Sequence, residues 1–167
     1  MNKKPVWYIA LFIIVVLIQV LFMNNMQFSK FVNPYFYVLF ILLIPVSTPR
    51  YAMLLLGFVL GLCIDVFSNT PGIHTSATVF MAFLRPVVVN PSTIDDADVI
   101  LPVSIVHFGF WWFVKYAGIL ILLHHLFLFF IEMFTFDHFF TTLSRSFLSA
   151  IFTFVFVVIS QFLMFRK

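Results

Sequence analysis

Long apolar runs dominate this chain and limit what it can fold into. Residues 6–23 hold one polar interruption, Gln19, and a second apolar run extends over residues 100–134. A helix that crosses a bilayer needs roughly 20 mostly apolar residues. Of the 167 residues, 63% are apolar and 9% are charged, whereas soluble domains are about half apolar and about a quarter charged. The sequence therefore predicts an all-α polytopic membrane protein.

The same composition argues against several other classes of protein. A net charge of +3 is no sign of nucleic-acid binding here, because Lys and Arg in membrane proteins mainly record orientation. The single cysteine, Cys63, excludes an intramolecular disulfide framework. We expect Cys63 to be a small packing residue.

Turns marked by proline, glycine and asparagine divide the chain into about six predicted spans. They lie at residues 6–23, 35–46, 51–67, 73–89, 116–134 and 145–165, within one transmembrane domain over residues 1–167. The long run is divided at Trp111, Trp112 and Lys115, residue types that favour the membrane interface. We therefore expect an interfacial helix at residues 103–113 and a loop at residues 136–143.

The distribution of Lys and Arg predicts the orientation. With the N-terminus inside, two cations lie outside, Lys30 and Arg145. Seven lie inside: Lys3, Lys4, Arg50, Arg85, Lys115, Arg166 and Lys167. Because cytoplasmic loops carry the excess of Lys and Arg, both termini are predicted to be cytoplasmic.

Gly57, Gly61 and Asp65 recur at four-residue intervals in the third span. This spacing places them along one stripe of a helix, where the glycines permit the close approach of another helix. Two roles remain open for Asp65. Its carboxylate either reaches the outer surface beside a packing seam, or fixes the outer turn or pairs with a basic group.

The fourth span carries His74 and Arg85, eleven residues apart. Eleven residues are close to three helical turns, so the two side chains share a face at opposite ends. His74 follows the turn at Gly72 and either pairs with Asp65 across that turn or caps the helix start. Arg85 is predicted to snorkel toward lipid phosphates, and Pro86 to kink or end the helix.

The fifth span contains His124, His125 and Glu132, and the last two share a helix face. A metal site or proton relay is one interpretation, but zinc normally takes three or four protein ligands. A packed, hydrogen-bonded interior is the interpretation we favour. The last span also carries hydroxyl residues that favour helix association, namely Ser146, Ser149, Thr153 and Ser160. Serine-hydrolase and phosphate-loop motifs are missing from the sequence, so we predict no enzyme, catalytic residue, metal or cofactor.

A series of motifs in the middle of the chain points to a known family. In chain order they are Pro45-x-x-x-Pro49-Arg50, Gly57-x-x-x-Gly61-Leu62-x-x-Asp65, Gly72, His74 and Phe83-Leu84-Arg85-Pro86. This pattern resembles the rod shape-determining protein family MreD. The plan of one short chain with about six spans is similar too, as are the histidines and acid of span five and Arg145 at the start of span six.

The resemblance implies a fold similar to the six-helix substrate-binding (S-component) subunits of energy-coupling-factor vitamin transporters. It also implies a non-enzymatic inner-membrane subunit of the bacterial cell-elongation (rod) complex, which regulates cell shape and peptidoglycan synthesis. The implied partners are MreC and, through it, MreB, RodA and the elongation transpeptidase, together with membrane lipid. The loop Asp95-Asp96-Ala97-Asp98 and the segment 103–113 depart from the family core by their length.

We therefore expect a scaffold in which spans three and four form a rigid pair. The outer turn, with Asp65 and His74, is expected to shape a shallow concavity, and an aromatic membrane surface to receive an MreC transmembrane helix. The alternative is a vitamin-binding subunit of an energy-coupling-factor transporter. Against it, span one offers only Ala10 where an Ala-x-x-x-Ala docking stripe is expected. A membrane enzyme is a third alternative. It would need convergent catalytic groups, and the sequence shows none.

Overall fold

The computed structural model describes residues 3–25, 32–89, 100–134 and 138–165. The helices are α1 (Lys3–Ile18) with a π-helical continuation (Gln19–Met23), a 3-10 turn (Phe36–Val38) that leads into α2 (Leu39–Leu43), α3 (Arg50–Ser68), α4 (Ile73–Val89), α5 (Ile105–Phe108), α6 (Phe110–Met133) and α7 (Phe139–Met164). The acidic loop 95–98, residues 136–137, Lys30, Arg166 and Lys167 lie outside the described residues.

Four segments in the described ranges are long and apolar enough to cross a membrane. They are Pro5–Met23, Arg50–Ser68, Phe110–Met133 and Phe139–Met164, and the shorter apolar helix Ile73–Val89 accompanies them. The chain is therefore an all-α polytopic membrane protein, as the apolar runs predicted. The predicted first, third and fourth spans match helices of the structure to within about a residue at each end.

The predicted second span, residues 35–46, is shorter in the structure than expected. Its helical part, residues 36–43, is about 13 to 14 Å long, because the 3-10 turn rises about 2.0 Å per residue and the α-helix about 1.5 Å. The hydrocarbon layer is roughly 30 Å thick. Residues 34–44 are all buried inside the protein. Apolar composition alone does not distinguish a short interior helix from a lipid-facing one, and this segment is the interior kind.

The boundaries around the last two long helices also differ from the prediction. Gly109 has a positive φ of 83° and separates α5 from α6, so the break lies before the tryptophans and not after them. Trp112 lies within α6 and stacks on Tyr116 at 5.1 Å between ring centroids. The expected interfacial helix 103–113 is thus only Ile105–Phe108, and α7 begins at Phe139 inside the expected loop.

Helices α3 and α4 form a tight antiparallel pair. A Cβ atom added to Gly61 would lie 2.8 Å from the carbonyl oxygen of His74, and one added to Gly57 would lie 3.1 Å from the Cβ of Ala82. These contacts are with backbone or with a rigid methyl group, so neither neighbour can move aside easily. The glycine stripe predicted from spacing is therefore the internal seam between α3 and α4.

Gly61→Ala is expected to lower the free energy of unfolding by about 1–3 kcal/mol, the usual cost of overpacking a tight interior. Thermal unfolding in detergent, followed by tryptophan fluorescence, measures the change. Gly118→Ala is the matched control, because an added Cβ there meets only the Phe154 ring at 3.9 Å. Equal melting temperatures for the two variants would contradict the close packing of α3 against α4 at Gly61.

Candidate functional site

Residues 32–44, which we call the central segment, occupy the middle of the bundle and include the 3-10 turn and α2. The first residues of this segment have no helical hydrogen bonds of their own. Backbone that is not regular is tolerated at membrane depth only where other protein groups satisfy it, because each unpaired group costs several kcal/mol there. The partners of the central segment therefore identify the side chains on which this bundle depends.

Helix α7 supplies partners for the start of the central segment. The backbone N–H of Asn33 donates to the Ser149 hydroxyl at 3.0 Å, and the N–H of Tyr35 donates to the Thr153 hydroxyl at 2.9 Å. Ser149 and Thr153 are fully buried and four residues apart, so both face the segment from one side of α7. Two of the hydroxyl residues predicted to favour helix association, Ser149 and Thr153, thus bind a non-helical backbone.

Gln19 of the first helix satisfies two more backbone groups. Its side-chain nitrogen donates to the Pro34 carbonyl at 3.2 Å and to the Asn24 side chain at 2.9 Å. Its side-chain oxygen lies 3.4 Å from the N–H of Tyr37. The one polar residue of the first apolar run is therefore buried against the central segment.

The hydroxyl of Tyr37 lies between two histidines. It is 2.9 Å from Nδ1 of His74 and 3.0 Å from Nε2 of His124. A tyrosine hydroxyl has one proton to donate, so it donates to one imidazole and accepts an N–H from the other. The two facing ring nitrogens consequently have opposite protonation, and the three side chains connect the central segment to α4 and α6.

His125 forms a second connection, between α6 and α7. Its Nδ1 donates to the Ile121 carbonyl at 2.8 Å, which leaves Nε2 to accept from the Thr153 hydroxyl at 3.0 Å. Glu132 is exposed and pairs with Arg145 at 3.9 Å. The structure therefore does not bring His125 and Glu132 together. No contact between these two side chains supports a proton relay.

The far end of α2 is capped by a buried cation. Arg85 donates from one Nη to the Ile44 carbonyl and from Nε to the Tyr116 hydroxyl at 2.7 Å. Tyr116 in turn donates to the Leu42 carbonyl at 2.9 Å. The last carbonyls of a helix carry partial negative charge and attract a cation, so Arg85 stabilises the end of α2.

The predicted snorkelling of Arg85 is wrong. The residue is only 3% exposed, because its guanidinium lies against the end of α2 inside the protein. The expectation that Pro86 ends the helix is also wrong, since α4 continues past it to Val89, while the expected kink stays a prediction.

At the opposite end of the α3–α4 pair, the Asp65 carboxylate caps the start of α4. It accepts hydrogen bonds from three backbone N–H groups and two hydroxyls: Gly72 N at 3.1 Å, His74 N at 2.9 Å, Thr75 N at 2.9 Å, Thr70 Oγ1 at 3.0 Å and Thr75 Oγ1 at 2.6 Å. A negative charge at the N-terminus of a helix is favourable, and a capping oxygen satisfies N–H groups that lack helical partners.

These contacts decide between the alternatives left open for the turn. Asp65 is 3% exposed, so it fixes the turn and does not reach the outer surface. It meets His74 through the backbone N–H, while the His74 ring turns inward to Tyr37. Neither side chain is available to shape the expected outer concavity. Gly72 closes the turn with a φ of 86°, which favours glycine.

The predicted site residues thus fall into two groups at opposite ends of α3 and α4. One group closes the turn and the seam: Gly57, Gly61, Asp65, Gly72 and His74. The other group surrounds the start of α3 and the end of α4: Pro45, Arg50, Arg85 and Pro86. Within the described ranges, no three His, Cys, Asp or Glu side chains are grouped to hold a metal ion.

Tyr37 and Tyr116 are central to the site, and sequence reasoning missed both. Each sits in an apolar run that was interpreted as a membrane span. The available signal was their phenol group, because a buried Tyr hydroxyl usually finds a hydrogen-bond partner. Nothing in the spacing indicated which distant residue that partner is.

A shallow apolar groove separates α6 from α7 on the outside of the bundle. Its volume is about 290 Å³, and small residues, Gly118 and Ala150, lie along it between Leu122, Phe147 and Phe154. Gly118 is half-buried and Ala150 is buried, and small residues at such positions favour close packing between helices.

Thr153→Val is expected to lower the free energy of unfolding by about 1–3 kcal/mol, since it leaves buried hydrogen-bonding groups of Tyr35 and His125 without a partner. Thermal unfolding in detergent measures the loss. Thr141→Val is the control, because Thr141 is exposed on the same helix. If both variants melt like the wild type, the hydroxyl of Thr153 does not hold the central segment.

Comparison with known proteins adds no relative to this picture. Neither a protein-family model nor a curated protein nor a solved structure matches the chain.

Proposed function

We propose that this chain is a non-enzymatic scaffold of the bacterial cell-elongation complex. It would act in the inner membrane by binding MreC and, through it, MreB, RodA and the elongation transpeptidase. The proposal begins from the resemblance of residues 45–86 to the MreD family. The observation that carries it is structural: the motif residues of that resemblance cap and pack the chain's own helices, as Asp65, Gly61 and Arg85 illustrate.

The hydrogen bonds made by the interior polar side chains support a scaffold role. Among the described residues, Gln19, His125, Thr153 and Arg85 each bind a backbone group of the protein itself. Catalysis requires polar groups that converge on a place where a substrate can bind. Here Gln19, Thr153 and Arg85 converge on backbone groups of residues 32–44, which are part of the protein itself.

The outer surface offers a place for a partner helix. Lipid chains are as apolar as most side chains, so helices associate in membranes by close packing, and small residues favour it. The groove between α6 and α7 has Gly118 and Ala150 along its floor and aromatic rings on its walls. We infer that an MreC transmembrane helix docks there, and not on the glycine seam of α3, which α4 already covers.

The orientation in this proposal keeps both termini in the cytoplasm. Arg85 no longer counts as a surface cation, because it is buried against α2. Six of the seven inner cations then remain against the two outer ones, which still favours the same topology. Arg50 and Lys115, both exposed, lie near the starts of α3 and α6.

Gly118→Leu is expected to reduce co-purification of tagged MreC by about tenfold, equivalent to about 1.4 kcal/mol. A leucine at this half-buried position fills the groove and keeps the partner helix away. Ala10→Leu is the matched control, since Ala10 is exposed on α1. Quantitative blotting after detergent extraction measures the captured MreC.

The result also separates the scaffold from its alternative. Unchanged capture by the Gly118→Leu variant would show that MreC does not bind in this groove. If wild-type chain captures no MreC but is stabilised against heat by a vitamin, the transporter-subunit interpretation replaces the scaffold, because a ligand that binds the folded state raises its stability.

A further inference from the structure

Two arginines share a small pocket at the end of the bundle where α3 begins and α4 ends. The pocket has a volume of about 100 Å³, and the side chains of Arg50 and Arg85 line it together with Thr48. Arg50 is exposed, whereas Arg85 is buried and held by Ile44 and Tyr116. The pocket thus combines an accessible cation with a fixed positive charge behind it.

Of the residues that line this pocket, Arg50 and Arg85 are charged and none is acidic. Two cations that share a low-dielectric pocket repel each other unless an anion lies between them. The pocket therefore suits an anionic group, and phosphate is one that guanidinium groups bind well.

Apolar grooves adjoin this pocket on both sides of α3. A groove of about 470 Å³ between α1 and α3 shares Thr48 with the pocket and continues along Leu56 and Val59. Another, of about 260 Å³, lies between α3 and α4 and shares Arg50 and Pro86 with it. The basic pocket thus shares lining residues with two apolar grooves, one on either side of the same helix.

We propose that an anionic phospholipid binds here, with its phosphate at Arg50 and Arg85 and its two acyl chains in the flanking grooves. The position suits this ligand, because the pocket lies at the end of a membrane-spanning helix, where head groups are found. A soluble phosphate would leave both grooves empty, and a neutral lipid would leave the two charges unmatched. The site is separate from the groove between α6 and α7 and does not depend on the scaffold proposal.

The test uses the full chain, purified in mild detergent and freed of lipid. Phosphatidylglycerol and phosphatidylcholine are titrated separately while thermal unfolding and native mass spectrometry record binding. Phosphatidylglycerol is expected to raise the melting temperature and to remain bound in a one-to-one complex, and phosphatidylcholine to bind at least about tenfold more weakly. Equal effects of the two lipids would overturn the proposal.

Substitutions test the head-group pocket and the grooves separately. Arg50→Gln is expected to weaken phosphatidylglycerol binding about tenfold, whereas Lys115→Gln, an exposed cation outside the pocket, leaves it unchanged. Val59→Trp fills one groove and is expected to weaken binding as well. Its control is Val66→Trp, one heptad further along the exposed face of α3.

Inorganic phosphate and glycerol 3-phosphate distinguish a lipid from a free anion. Neither is expected to stabilise the protein, because neither fills the grooves. Stabilisation by either one as large as that from phosphatidylglycerol would overturn the lipid assignment. So would an Arg50→Gln or Val59→Trp variant that binds phosphatidylglycerol like its control.

Discussion

The bundle depends on one constraint, which is that lipid offers no hydrogen bonds to a polypeptide backbone. The central segment enters the interior as non-helical chain and ends in a helix too short to cross the membrane. Its unpaired groups are satisfied by side chains from α1, α4, α6 and α7, such as Gln19, Thr153 and Arg85. The long helices are therefore arranged around this segment as partners for its backbone.

This constraint explains why several of the few polar residues of the chain lie inside. A histidine or arginine within a membrane is costly and is usually a sign of a functional site. Here Arg85, His125 and Tyr37 are occupied with contacts that keep the fold together. The apolar exterior is consequently free to contact lipid and partner helices, which agrees with a role in which the surface and not the interior carries the function.

Local features of the structure could be predicted from the sequence, and contacts between distant residues could not. The stripe of Gly57, Gly61 and Asp65 and the turn after it follow from helical spacing and turn residues, and both are present in the structure. The interior position of residues 36–43 does not follow, because an apolar run has the same composition beside lipid or beside protein. The burial of Arg85 depends on the Ile44 carbonyl, a backbone group that leaves no mark in the sequence.

The two ends of the α3–α4 pair differ in how completely their charge is satisfied. At the turn, five hydrogen bonds converge on Asp65 and use the carboxylate fully. At the other end, Arg85 holds the end of α2 while Arg50 stands exposed beside it. A ligand bound to Arg50 therefore lies one side chain away from the cap of the central segment. Since anything that binds the folded state stabilises it, an anionic lipid at this end would stabilise the fold in which Arg85 caps α2.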